Sequence, residues 1–255
     1  MRIFGLAAIL GLAVFAGFAA PVRGQELEAY GEDFPPYNFL AKGEPSGIAT
    51  DLLLQVCRAA EVKCRIRIYP WARAFRTART EKNSLVYSTT QTAERLDQFI
   101  WLGPFLPRAI KLFTLPGTDL PASRLRNPGD LRFGAISRDA SVTELHDAGV
   151  PDSAVDITNT HEDTIRALLG RRISAYPDTE LAARWYLKTH GLPQDAVVPA
   201  LQLGETGGYF FALNPDSDPE LVRKMRQGYE SVMKSSALKD ILARYLGTSP
   251  TGEVH

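Results

Sequence analysis

Residues 87–95 read YSTTQTAER, an apolar strand end followed by four hydroxyl residues and one arginine. The segment N-S-L-V-Y-S-T-T before the cluster has the apolar, β-branched character of a strand, and E-R-L-D-Q-F after it reads as a short helix. Thr92 would cap that helix, with Glu94 in its first turn. Hydroxyls and a guanidinium share one chemical use, the donation of hydrogen bonds to an anion. An arginine fork also grips two acceptor atoms at once, which lysine copies poorly. From these residues alone the alternative is a polar turn ahead of a solvated helix.

Working outward, the same punctuation recurs. Upstream, LEAYGEDFPPYNFL is a short strand broken by Pro35 and Pro36, which leaves Phe34 and Tyr37 on an irregular loop. GEPSG is a turn, Thr50 is placed to cap the helix DLLLQVCRAA, CRIRIYP alternates as a strand, and WARAFRTARTEK reads as an exposed basic helix. Downstream, FIWLGPFLPRAIKLFTL is a long extended segment and PGTDLPASRLRNPGD is rich in turn formers. RFGAIS and ISAYP read as strands; SVTELHDAG, HEDTIRALLGRR and TELAARWYLKTHG read as helices. GGYFFAL is strand-like, GETGG a hinge or turn, and DPELVRKMRQGYESVMKSSALKDILARYLG a helical tail. Strands alternating with helices predict an α/β protein with parallel sheets covered by helices.

The first twenty residues, MRIFGLAAILGLAVFAGFAA, carry one basic residue, an apolar run and then small residues, the pattern of a secretory signal peptide. A membrane anchor is the competing reading, but Gly5, Gly11 and Gly17 make the run poorly hydrophobic. Cleavage is expected after Ala20 or Gly24, so that residues 1–24 are the leader and the protein is periplasmic. The 29 basic and 29 acidic residues of the whole chain become 27 and 29 without Arg2 and Arg23, a balance that suggests neither nucleic acid nor an anionic membrane as partner. Cys57 and Cys64 are the only cysteines, and His146, His161, His190 and His255 are scattered, so a metal site lacks ligands. In an exported chain the two cysteines read as a disulfide tying a helix end to the next strand. No cofactor is expected.

Motifs for catalysis are thin. Ser236 and Lys239 have an S-x-x-K spacing but no companion motifs, and GETGG lacks the Lys and Ser/Thr of a phosphate loop. The order FPPYNF, GIATDL, YPWARA and STTQTAER, with the helical tail, resembles the extracytoplasmic solute-binding proteins of polar amino acid ABC transporters, solute-binding family 3, and YPWARA is similar to one branch of it. The resemblance implies a type II periplasmic-binding-protein fold, two α/β lobes joined by two crossover strands. Lobe one would hold 25–108 and 209–255, and lobe two 109–208. The solute would sit in the cleft, and the closed, monomeric protein would deliver it to an ABC permease rather than transform it. Two rivals are an enzyme on the same scaffold, with Asp178 or Glu180 as acid–base group, and a ligand-sensing accessory protein.

The resemblance also implies roles. Arg95 would hold the ligand carboxylate, Thr90 would donate to it, and Ser88 would offer a carbonyl to the ligand ammonium. Phe34 would stack on the ligand, Ile48 would give an apolar contact, and Trp71 would add a wall. Lobe two would add the backbone N–H groups of Ala140 and Ser141 at a helix start. Arg138 departs from the family pattern, standing where a small residue is common; it is either a solvated loop charge or a second anion contact. Asp178 is the candidate for the ammonium, although a gapless alignment of the following helix puts Thr179 there. If Asp178 only caps that helix, the solute need not be an α-amino acid.

Overall fold

A computed structural model describes residues 25–246. The leader expected at 1–24 and the end of the C-terminal tail lie outside the described residues, among which no helix is long and apolar enough to cross a membrane. Strand β1 (Glu26–Gly31) buries Leu27, Ala29 and Tyr30 and runs into the loop of the two prolines. The hairpin of β2 (Phe39–Ala41) and β3 (Glu44–Ser46) leads to helix α1 (Ile48–Ala59). Gly47 joins them at φ +123°, where a Cβ would stand 2.4 Å from the Tyr37 carbonyl oxygen. Only glycine allows this approach. Thr50 is not the cap expected from sequence: burial of Ile48 and Ala49 carries the helix back to Gly47, and the Thr50 hydroxyl instead bonds the Tyr87 hydroxyl at 3.1 Å.

Strand β4 (Lys63–Ile68) alternates exposed and half-buried residues, helix α2 (Trp71–Thr80) buries Trp71, Ala74 and Ala78, and β5 (Ser84–Thr89) is buried throughout. The Cys57–Cys64 disulfide forms and ties α1 to β4. The helix expected over ERLDQF does not form. A turn in which Arg95 N–H donates to the Thr92 carbonyl is followed by one 3₁₀ turn at Leu96–Gln98. Leu96 is exposed and the buried Arg95 lines the space between the lobes, so the segment has no apolar helix face to pack.

The long strand β6 (Ile100–Thr114) then crosses to the other half of the molecule, which contains α3 (Ser123–Arg126), β7 (Phe133–Ile136), α4 (Ala140–Asp147) and β8 (Val155–Thr158). Helix α5 (His161–Leu169), β9 (Ala175–Asp178) and α6 (Glu180–Thr189) complete it, and β10 (Val198–Leu213) returns. The tail is two helices, α7 (Pro219–Met233) and α8 (Ala237–Leu246). Strand order is β4-β1-β5-β10-β6-β9-β7-β8. Parallel triplets at either end, β4-β1-β5 and β9-β7-β8, are joined by the antiparallel pair β6/β10. Separate apolar clusters lie on the two sides. The larger one packs β1 and β5 against α1 and α7, and two others surround β7 and β9. The chain is therefore two α/β lobes linked by two strands.

Candidate ligand-binding cleft

The carboxyl ends of the parallel strands of both lobes face one another, the position at which open α/β sheets hold ligands. In lobe one, β5 ends in the hydroxyl cluster. Ser88 sits at φ +58°, is 6 % exposed, and its Oγ has no hydrogen-bond partner. Arg95 is 8 % exposed. Its guanidinium lies within 5.0 Å of the Phe75 ring centroid and 5.4 Å of that of Trp71, and it donates to Thr89 Oγ1 at 3.3 Å. Its other Nη donates across the cleft to the Arg138 carbonyl at 3.0 Å, an oxygen that also accepts from Trp71 Nε1 at 2.7 Å. Burial lowers the Arg95 pKa below its ordinary value, opposed by Asp139.

On the facing lobe, β7 runs into a turn at Arg138, φ +61°, and then into α4. Asp139 caps that helix, and its carboxylate accepts from Ser141 N–H at 2.9 Å. Burial pushes the Asp139 pKa up, but Arg108 and then Arg95 hold it below the usual carboxylate range. Arg108, from β6, is itself paired with Glu144 of α4. The helix start expected to receive an anion through Ser141 thus already has a carboxylate of the chain on that N–H.

Asp178 does not cap α6. The cap is Thr179, whose Oγ1 accepts from Ala182 N–H at 3.2 Å and also receives the Tyr37 hydroxyl. Asp178 is the last residue of β9 and 2 % exposed; its Oδ1 accepts from Thr179 N–H, and its Oδ2 has no hydrogen-bond partner. Beside it is His161, the first residue of α5, placed there by the Thr160 cap. Its ring lies on Phe34 with centroids 3.8 Å apart and planes 9° from parallel. Nδ1 is 3.8 Å from Asp178 Oδ2, and Nε2 is 3.9 Å from Glu32 Oε1. Burial lowers the imidazole pKa, but Asp178 and Glu32 outweigh it and raise it to about 10. The Phe34 loop is held by Asn38, whose carbonyl accepts from Phe34 N–H and whose side-chain amide donates to the Glu32 carbonyl.

Of the residues singled out by sequence, Phe34, Ser88, Thr90, Arg95, Ala140, Ser141 and Asp178 line one cavity between the lobes. Ile48 and Trp71 do not: Ile48 is fully buried in the lobe-one core, and Trp71 lines an adjoining cavity with Glu32, Asn159 and Thr160. Arg138 is exposed, and its carbonyl is the atom that meets lobe one. Glu32, Arg108, Asp139, His161 and Tyr209 also line the cavity and were not recognised from the sequence. The GED-FPP stretch held a signal for Glu32, a carboxylate two residues before the stacking ring. For His161 the signal was its place directly after a threonine cap. About 20 Å³ remains free in the cavity, room for a water molecule and little more. The S-x-x-K pair lies elsewhere, with Ser236 Oγ bonded to Asp240.

The family model for bacterial extracellular solute-binding proteins, family 3, matches residues 29–248. No curated protein matches the sequence. Among solved structures, a histidine kinase sensor domain with similarity to periplasmic binding proteins superposes with a TM-score of 0.78 at 18 % identity, covering 88 % of this chain and 97 % of that one. The arginine-, lysine-, histidine-binding protein ArtJ from Geobacillus stearothermophilus gives 0.76 at 16 % identity, over 89 % and 97 %. An ancestral arginine-binding protein bound to arginine gives 0.74 at 20 %, over 87 % and 98 %. These likenesses show the fold: the two-lobed, type II periplasmic-binding-protein arrangement.

Proposed function

The chain belongs to the bacterial extracellular solute-binding proteins, family 3, and on that premise we propose that it captures a small carboxylate-bearing solute, an amino acid or a relative, between its lobes. The observation that carries this reading is a buried guanidinium, Arg95, beside the unpartnered hydroxyl of Ser88 in an interlobe cavity. A carboxylate there would accept from Arg95 in place of the Arg138 carbonyl and would receive the Ser88 and Thr90 hydroxyls. Asp178 Oδ2, buried and without a donor, suits a cationic group on the same solute.

Residues 25–108 and 209–255 would move as one lobe and 109–208 as the other, bending at the middle of β6 and β10. Binding rather than catalysis is the activity, and a solute drives closure only by contacts that it makes better in the closed form. The protein would work as a monomer in the periplasm and hand its solute to an ABC permease. A sensor role on the same fold is separated from import by the neighbouring genes: a permease and an ATPase favour import.

The test is a thermal-shift screen of the mature protein against amino acids, small organic acids and opines. A ligand at a hundred times its dissociation constant adds about 2.7 kcal/mol. Arg95→Ala should abolish the shift produced by any carboxylate ligand; an undiminished shift removes Arg95 from the site.

A further inference from the structure

Between Phe34, Glu32 and Asp178 lies the part of the cleft built for a flat cation, with an aromatic face below and a carboxylate at either edge. No space remains there, because a side chain of the facing lobe fills it. We propose that His161 is the specificity-determining residue of this cleft, its ring being an internal occupant that a solute must displace to reach Phe34. The inference rests on the cleft being the solute site and adds which chemistry it admits: a planar cation of the imidazole, guanidine or amidine kind.

The carboxylates hold the imidazolium at ion-pair range and not by close hydrogen bonds, so a guest cation that comes nearer can take its place. The ring meets Phe34 at stacking distance, 3.8 Å, yet neither nitrogen reaches hydrogen-bond distance of a carboxylate, at 3.8 and 3.9 Å. Asp178 Oδ2 is left buried with no donor, so a guest that reaches it gains a bond that His161 does not make. His161 belongs to lobe two, whereas Phe34 and Glu32 belong to lobe one, so parting of the lobes withdraws the ring and exposes the aromatic face. A tetrahedral ammonium cannot copy the stack and would compete less well than a planar group.

The experiment uses imidazole and guanidinium as probes on the mature protein and its His161→Gly and His161→Asn variants. With the ring removed, about 20 mM of either probe should raise the melting temperature of His161→Gly by several degrees while wild type barely responds, since the occupied site must first be emptied. Methylammonium should rescue less than imidazole. Equal responses of wild type and variant, or none from the variant, overturn the proposal. Should His161→Gly fail to fold, NMR of the solute-free wild type decides, with His161→Asn identifying the ring resonances. A ring stacked on Phe34 shows strongly upfield-shifted imidazole protons, and unshifted protons overturn the proposal. Imidazole rescue does not use Arg95. Its failure beside intact Arg95-dependent solute binding removes this inference alone, whereas loss of Arg95 dependence removes the reading beneath it.

Discussion

Arg95 and His161 mark the two poles of the cleft, and only one of them was visible in the sequence. Arg95 follows a strand and a run of hydroxyls at a spacing that states its chemistry. Thr89, which receives its hydrogen bond, was part of the same run. His161, Asp139, Arg108 and Glu32 come from four separate segments, and their charges are meaningful only once the lobes meet. Asp178 was legible as a residue but not as a role, because cap and cleft positions are adjacent in sequence; the backbone assigns the cap to Thr179. The charge on His161 gives a pH prediction. Its pKa in the folded protein, about 10, lies above the value of about 6.5 of an unfolded chain. A raised value means that the folded state binds the proton more tightly, so this stabilisation is complete below about pH 6.5 and fades as pH rises through about 10. Urea melts of wild type at pH 7 and pH 10.5 should differ more than those of His161→Gln, by on the order of a few kcal/mol. Parallel losses in both proteins would show that Asp178 and Glu32 do not hold the imidazolium.

At the scale of elements, the disulfide links the last turn of α1 to the start of β4, the outer strand of its sheet. On the chain-entropy account a loop of this length stabilises by roughly 2–3 kcal/mol. Chemical denaturation of the Cys57→Ser/Cys64→Ser double variant should show a loss of that size with the solute site intact, because Cys64 pairs with Leu27 at the amino ends of the strands, opposite the carboxyl ends that form the cleft. A loss of solute binding at full stability would contradict this. Elements were read well where periodicity and end charges agreed, as in α5, with acidic residues in its first turn and a basic one in its last. They were misread where a short segment depends on tertiary contacts. ERLDQF is helical in composition but is tethered by the buried Arg95, and β8 is four residues, VDIT, too short to carry an alternation. GETGG, expected to be a hinge or turn, lies inside β10 and is not a turn, and pairing with β6 slips between Leu203 and Gly207.

For the whole molecule, the lobes touch through Phe34 on His161, Tyr37 on Thr179, and Trp71 and Arg95 on Arg138. These contacts favour a compact form before any solute arrives. Small-angle scattering of the solute-free protein should therefore give a radius of gyration near that of the liganded state, and His161→Gly should expand it measurably. An equally extended wild type and variant would show that the ring does not bring the lobes together. The alternation of strands and helices and the long segment at β6 made the α/β class legible, whereas the two-lobed plan came only with the family resemblance, because β10 was read as a strand only at GGYFFAL.

Two donors of lobe one converge on the Arg138 carbonyl, an oxygen of the main chain. Every amino acid supplies that atom, so mutation can rewrite the residue without erasing the clasp. Its left-handed φ of +61° suits glycine better than arginine, and the residue is exposed. Among residues that tolerate a left-handed φ, a surface charge at the rim of the cleft can therefore be exchanged while the gate keeps its grip.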